Sequence, residues 1–83
     1  MNYTVTWRPW AESELAEAWV NAPDRSAVTR AAANIDQALA YKPLAVGESR
    51  FGCTRVLFDG PLAVYYDVIE DDRKVVIWKV WRC

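Results

Sequence analysis

Residues 54–81, TRVLFDGPLAVYYDVIEDDRKVVIWKVW, decide the fold. β-Branched and aromatic residues dominate three runs, Thr54 to Phe58, Leu62 to Ile69 and Arg73 to Trp81. The gaps between them, Asp59-Gly60-Pro61 and Glu70-Asp71-Asp72, carry turn chemistry at hairpin length. The stretch reads as an antiparallel meander. Alternation in the middle run sets its faces: Val64, Tyr66 and Val68 point toward a core, whereas Ala63, Tyr65 and Asp67 point away from it.

The upstream segments supply the cover for that core. Tyr3, Val5 and Trp7 alternate with Thr4 and Thr6 as in a half-buried strand, which Pro9 ends. From Trp10 the period becomes helical, with Ala11, Leu15, Ala18, Trp19 and Ala22 on one side and Glu12, Glu14 and Glu17 on the other. Asn21-Ala22-Pro23-Asp24 breaks this helix. Asp24 or Ser26 caps a second one, whose buried stripe is Val28, Ala31, Ile35, Ala38 and Leu39. Lys42-Pro43 closes it, and Leu44 to Gly52 reads as a loop. The expected architecture is α+β, ordered β-α-α-β-β-β, with a helical hairpin on one face of a four-stranded, mainly antiparallel sheet and the other face open. Residues 1–83 are expected to form one domain.

Composition narrows the function classes. The chain is 53% hydrophobic and 25% charged with a net charge of −1, too apolar and too nearly neutral to remain disordered. Its longest apolar run, Leu62 to Tyr66, is far short of a membrane span, and Met1 to Trp10 lacks the apolar core of a secretory leader, so a soluble, cytoplasmic protein is expected. Cys53 and Cys83 are too few for a disulfide framework and are expected to be free thiols. Histidine is absent, which excludes a Ser-His-Asp triad and the commonest zinc ligand. Any proton transfer falls to Glu, Asp, Tyr, Lys or Arg. Arg50, Arg55, Lys79 and Arg82 form a candidate cationic patch in the C-terminal part.

Over essentially its whole length the sequence resembles the RelE/ParE family of bacterial toxins, the toxin half of type II toxin-antitoxin pairs. The resemblance lies in the strand Tyr3 to Trp7 with Pro9 after it, the stretch Leu15 to Trp19, the helix end Ile35 to Leu39, and the loop Pro43 to Gly47. It continues through the strand patterns Arg55 to Phe58, Val64 to Val68 and Val75 to Val80. In its mRNA-cleaving branch this family implies a toxin that enters the ribosomal decoding site and promotes attack of an RNA 2′-hydroxyl on the neighbouring phosphate, without metal or other cofactor. The matching places are Glu48 as base, Arg50 and Arg55 as phosphate clamps, Arg82 near the end of the last strand, and Tyr65 as a base-stacking group or proton donor. The implied partners are a cognate antitoxin, the ribosome and mRNA, with self-association when the antitoxin is missing.

Two features point to other readings. Ala63 stands where the nucleases usually place an arginine, three residues before Tyr66, and the pI of about 5.3 suits an RNA-binding surface poorly. A ParE-like toxin that inhibits DNA gyrase by binding, or a silent antitoxin-binding module, are the alternatives. Arg50 and Arg55 have a structural alternative, pairing with Asp59 or Asp67. Tyr66 is expected in the core, Trp19 and Trp78 are expected to fill it, and Trp10 and Trp81 stay unassigned.

Overall fold

The chain runs β1 (Thr4–Trp7), α1 (Pro9–Asn21), α2 (Arg25–Tyr41), β2 (Glu48–Phe51), β3 (Thr54–Asp59), β4 (Leu62–Ile69) and β5 (Lys74–Arg82) in a computed structural model that describes residues 2–83. Met1, the first residue of the stretch read for a leader, lies outside the described residues. Pro9 opens α1, where its missing N–H costs nothing. Of the two possible caps for α2, Asp24 is the one used: its carboxylate accepts the Ala27 N–H at 3.2 Å. No described helix is long and apolar enough to cross a membrane.

The sheet is ordered β1-β5-β4-β3-β2. β1 runs parallel to β5, from Thr4 opposite Lys74 to Trp7 opposite Ile77, and every other pair is antiparallel. The helical hairpin lies on one face. There Ala11, Val28, Ala31, Ile35 and Leu39 meet Leu62, Val64, Tyr66, Val75, Ile77 and Val80, all 2% exposed or less. These apolar groups, removed from water together, are the main favourable term of the fold.

Three expectations need correction. The sheet has five strands, because Glu48–Phe51, read as loop, pairs with the outer edge of β3. All four residues of β2 are exposed, so no apolar alternation marks it in the sequence, and backbone pairing with β3 forms it. Trp19 does not fill the core; it is 41% exposed, with the Arg25 guanidinium 4.6 Å above its ring. Trp78 is also absent from the helix-side core. Alternation from the inward Val75 and Ile77 already turns it outward, and a register shift follows in which Tyr66 faces Ile77 but Tyr65 faces Lys79, so Trp78 has no residue opposite it in β4. Inward residues on β5 accordingly run Val75, Ile77, Val80, a step of two followed by a step of three.

Candidate functional site

β4 alternates as its sequence predicts: Val64 and Tyr66 join the helix-side core, and Tyr65 faces the opposite, uncovered side. The strand register carries that division across the sheet. Tyr65 lies opposite Val56, Ala63 opposite Phe58 and Trp81, Asp67 opposite Thr54 and Val76, and Phe51 opposite Thr54. These residues build one continuous aromatic surface. Tyr65 is at its centre, stacked on Trp78 at 5.3 Å, tilted against Trp81 at 4.9 Å and edge-on to Phe51 at 6.1 Å. Phe58 extends the row, edge-on to Trp81 at 6.3 Å. Val56 and Ala63 form the floor, buried although neither belongs to the helix-side core.

Polar groups fix this surface more than they decorate it. Asp67 accepts the Thr54 hydroxyl at 2.6 Å and the Trp78 indole N–H at 3.2 Å through the same carboxylate oxygen, which holds the indole in place. The Trp10 indole donates to the Trp78 carbonyl at 2.7 Å from the α1 side. Phe51 and Phe58 at the ends of the row are 58% and 53% exposed. A contiguous patch of large apolar side chains open to water marks a contact surface.

The five residues expected to act together are divided among four places. Tyr65 is central to the open face, and Glu48, opposite Val56 in the register, lies on the same side at its edge. Arg50 is exposed in the irregularity of β2 between Ser49 and Phe51. Arg82 lies opposite Leu62 and lines, with Glu14 and Glu17, a groove between α1 and β5. Arg55 is on the helix side, opposite Tyr66. Its Nη2 donates to the carbonyls of Val46 and Gly47 at 3.3 and 3.2 Å, and its Nε donates to the Tyr66 hydroxyl at 3.3 Å.

The expected pairing of Arg50 and Arg55 beside the open face is therefore corrected: Arg55 lies on the helix side of the sheet, bound to the Val46 and Gly47 carbonyls. Arg55 also forms no ion pair with Asp59 or Asp67; among the described residues the one ion pair joins Lys79 to Glu14 at 2.9 Å. Arg55 and Tyr66 instead anchor the loop that leads into β2. The Tyr66 hydroxyl lies 2.8 Å from the carbonyls of both Pro43 and Val46, and donates its single hydrogen to one at a time. Burial pushes the Tyr66 phenol above its ordinary pKa, opposed in part by Arg55.

Sequence reasoning left Phe51, Phe58, Trp78 and Trp81 out of the site. The spacing Val75, Ile77, Val80 is the signal that would have found two of them, because a step of three in a strand turns Trp78 and Trp81 to the same side. Glu14 meets that step from α1, accepting the Val80 N–H and the Lys79 ammonium, each at 2.9 Å. Burial pushes the Glu14 carboxyl upward, but the Val80 N–H and Lys79 outweigh it and hold the carboxyl below its ordinary pKa. A depressed carboxylate stabilises the fold above its unfolded pKa and loses that contribution as pH falls through the folded one. Denaturant midpoints measured downward from about pH 5 are expected to fall less steeply in Glu14→Gln than in the wild type. Parallel curves would show that Glu14 carries none of the acid sensitivity.

No protein-family model matches the sequence. No curated protein matches it. Solved structures do. The whole chain superposes on the whole of a chain in the RelBE2 toxin-antitoxin complex from Mycobacterium tuberculosis, with a TM-score of 0.81 at 24% identity. It covers 96% of itself and 95% of a chain in the chromosomal ParDE toxin-antitoxin system from P. aeruginosa, with a TM-score of 0.71 at 14% identity. A double arginine-to-alanine mutant of the E. coli toxin RelE, bound to a RelBc antitoxin peptide, matches 100% of this chain over 85% of its own, with a TM-score of 0.67 at 15% identity. The chain has the fold of these proteins, as its element order predicted.

Proposed function

We propose that this chain is the toxin half of a type II toxin-antitoxin pair, and that it acts by docking its open aromatic face on the target, as a gyrase inhibitor does, rather than by cutting RNA. The toxin assignment is supported by the end-to-end likeness to a chain of the RelBE2 complex. The mode of action is carried by one observation: the centre of the open face holds aromatic rings, and Arg55 is committed to loop carbonyls on the other side of the sheet. Phosphodiester cleavage by this route needs cations beside the phosphorane, where one well-placed donor is worth roughly 3–4 kcal/mol. An antitoxin bound to the chain keeps it inactive, and without one the exposed aromatics promote self-association.

A second reading keeps mRNA cleavage, and its support is that Glu48, Phe51 and Tyr65 share one face with Arg50 on the adjoining edge. Glu48 is then the base, Arg50 the phosphate contact and Tyr65 the stacking platform. Arg55 and Arg82, the other two residues of the family expectation, take no part in it.

Induction in bacterial cells, with RNA 5′ ends mapped beside a supercoiling assay on the purified chain, separates the two. The expected outcome is growth arrest relieved by the antitoxin, inhibited supercoiling, ribosome-bound messages left intact, and loss of inhibition in Trp81→Ala. Cuts within translated codons and unaffected supercoiling would replace this reading with the second.

A further inference from the structure

The aromatic face depends on a break in strand alternation. Had β5 continued its period of two beyond Ile77, Lys79 would point into the helix-side core, Val80 would point outward, and Trp81 would turn away from Tyr65. The register shift at Trp78 prevents this: Val80 is 2% exposed in the core, and both Trp78 and Trp81 lie against Tyr65. β1 pairs with β5 only as far as Ile77, so beyond the shift that edge of β5 has no strand beside it, and a backbone N–H within a buried residue there needs an acceptor. Glu14 provides it from another element. Its Oε1 accepts the Val80 N–H at 2.9 Å, while its Oε2 takes the Lys79 ammonium at 2.9 Å and so draws Lys79 toward α1.

We propose that Glu14 is a positioning residue for the open face: by accepting the Val80 N–H it holds the β5 register shift that turns Trp81 to the side of Trp78, onto Tyr65. Its consequence for the target rests on the reading that this face is the docking surface. The backbone bond is the part that acts. The ion pair joins partly exposed side chains, 47% and 32% accessible, and pairs of that kind contribute little.

The test uses the full chain and four variants. Glu14→Gln keeps an oxygen acceptor at the same reach, and Lys79→Ala removes only the ion pair; both are expected to retain the near-UV circular dichroism of the wild type. Glu14→Ala removes the acceptor, and Glu14→Asp keeps the charge but withdraws it by one methylene. Both are expected to lose much of the aromatic near-UV signal and to speed amide exchange at Val80 at least about tenfold relative to Val64, the size of one charge-assisted hydrogen bond. Glu14→Asp reads the outcome should Glu14→Ala fail to fold. Wild-type Val80 exchange and an unchanged near-UV spectrum in these two variants would overturn the proposal. If the spectrum and exchange change while target inhibition survives, Glu14 is upheld and the docking role of the face falls instead.

Discussion

Tyr66→Ala is expected to destabilise the chain by about 4 kcal/mol or more, and Tyr65→Ala, its immediate neighbour, by roughly 1–2 kcal/mol. Tyr66 is fully buried among the helix-side residues, and truncating an aromatic side chain there removes its transfer free energy and leaves a cavity. The loss extends beyond packing. Its hydroxyl holds the Pro43 and Val46 carbonyls and receives Arg55, so the loop leading into β2 loses its anchor. Tyr66→Phe isolates that part and is expected to cost about 1–2 kcal/mol. Tyr65 is half-buried and stacks on Trp78, itself half-buried, so its removal costs area on one side only. Since a small domain has only about 5–10 kcal/mol in total, Tyr66→Ala brings it close to unfolding. Urea titrations of the three variants check this. The reverse order for the two alanine variants would mean that β4 presents the opposite faces.

Gly47→Ala is expected to cost about 3 kcal/mol or more, against about 1 kcal/mol for Gly52→Ala. Both glycines have positive φ, +71° and +54°, where an L side chain is strained. Surroundings separate them. A Cβ on Gly47 would lie 2.5 Å from the Val56 carbonyl oxygen and 2.8 Å from the Tyr66 hydroxyl, whereas one on Gly52 meets nothing within 4 Å. The carbonyl at Gly47 belongs to the β3 backbone and cannot swing aside, so the β2 entry and the Tyr66 anchor must both shift. Equal thermal melting temperatures for the two variants would show that the loop yields without cost. Arg55→Glu belongs to the same region: a carboxylate facing the Val46 and Gly47 carbonyls repels them, and the change reads first as instability, before any effect on a target.

Much of this molecule is legible in its sequence. Period-two runs broken by Asp59-Gly60-Pro61 and Glu70-Asp71-Asp72 determined the meander, and period-3.6 stripes ending at Pro23 and Pro43 determined the helical hairpin, because local backbone sterics and burial act on adjacent residues. The inward Tyr66 and outward Tyr65 followed from the same alternation. The short β2 strand was not legible, since exposed residues held by backbone pairing leave no hydrophobic trace.

The site was decided at a longer range. Arg50 and Arg55 are five positions apart and look like partners, yet a face in a sheet is assigned by the register between strands, and Arg55 falls opposite the inward Tyr66. Trp81 joins Trp78 on the same side as Tyr65 only because β5 slips by one residue against β4, a slip met by Glu14 from a helix 66 positions away from Val80. Alternation within one strand is a property of its own residues and can be read along the chain. Which strands' alternations coincide depends on hydrogen bonds between distant segments, and only the folded chain sets those.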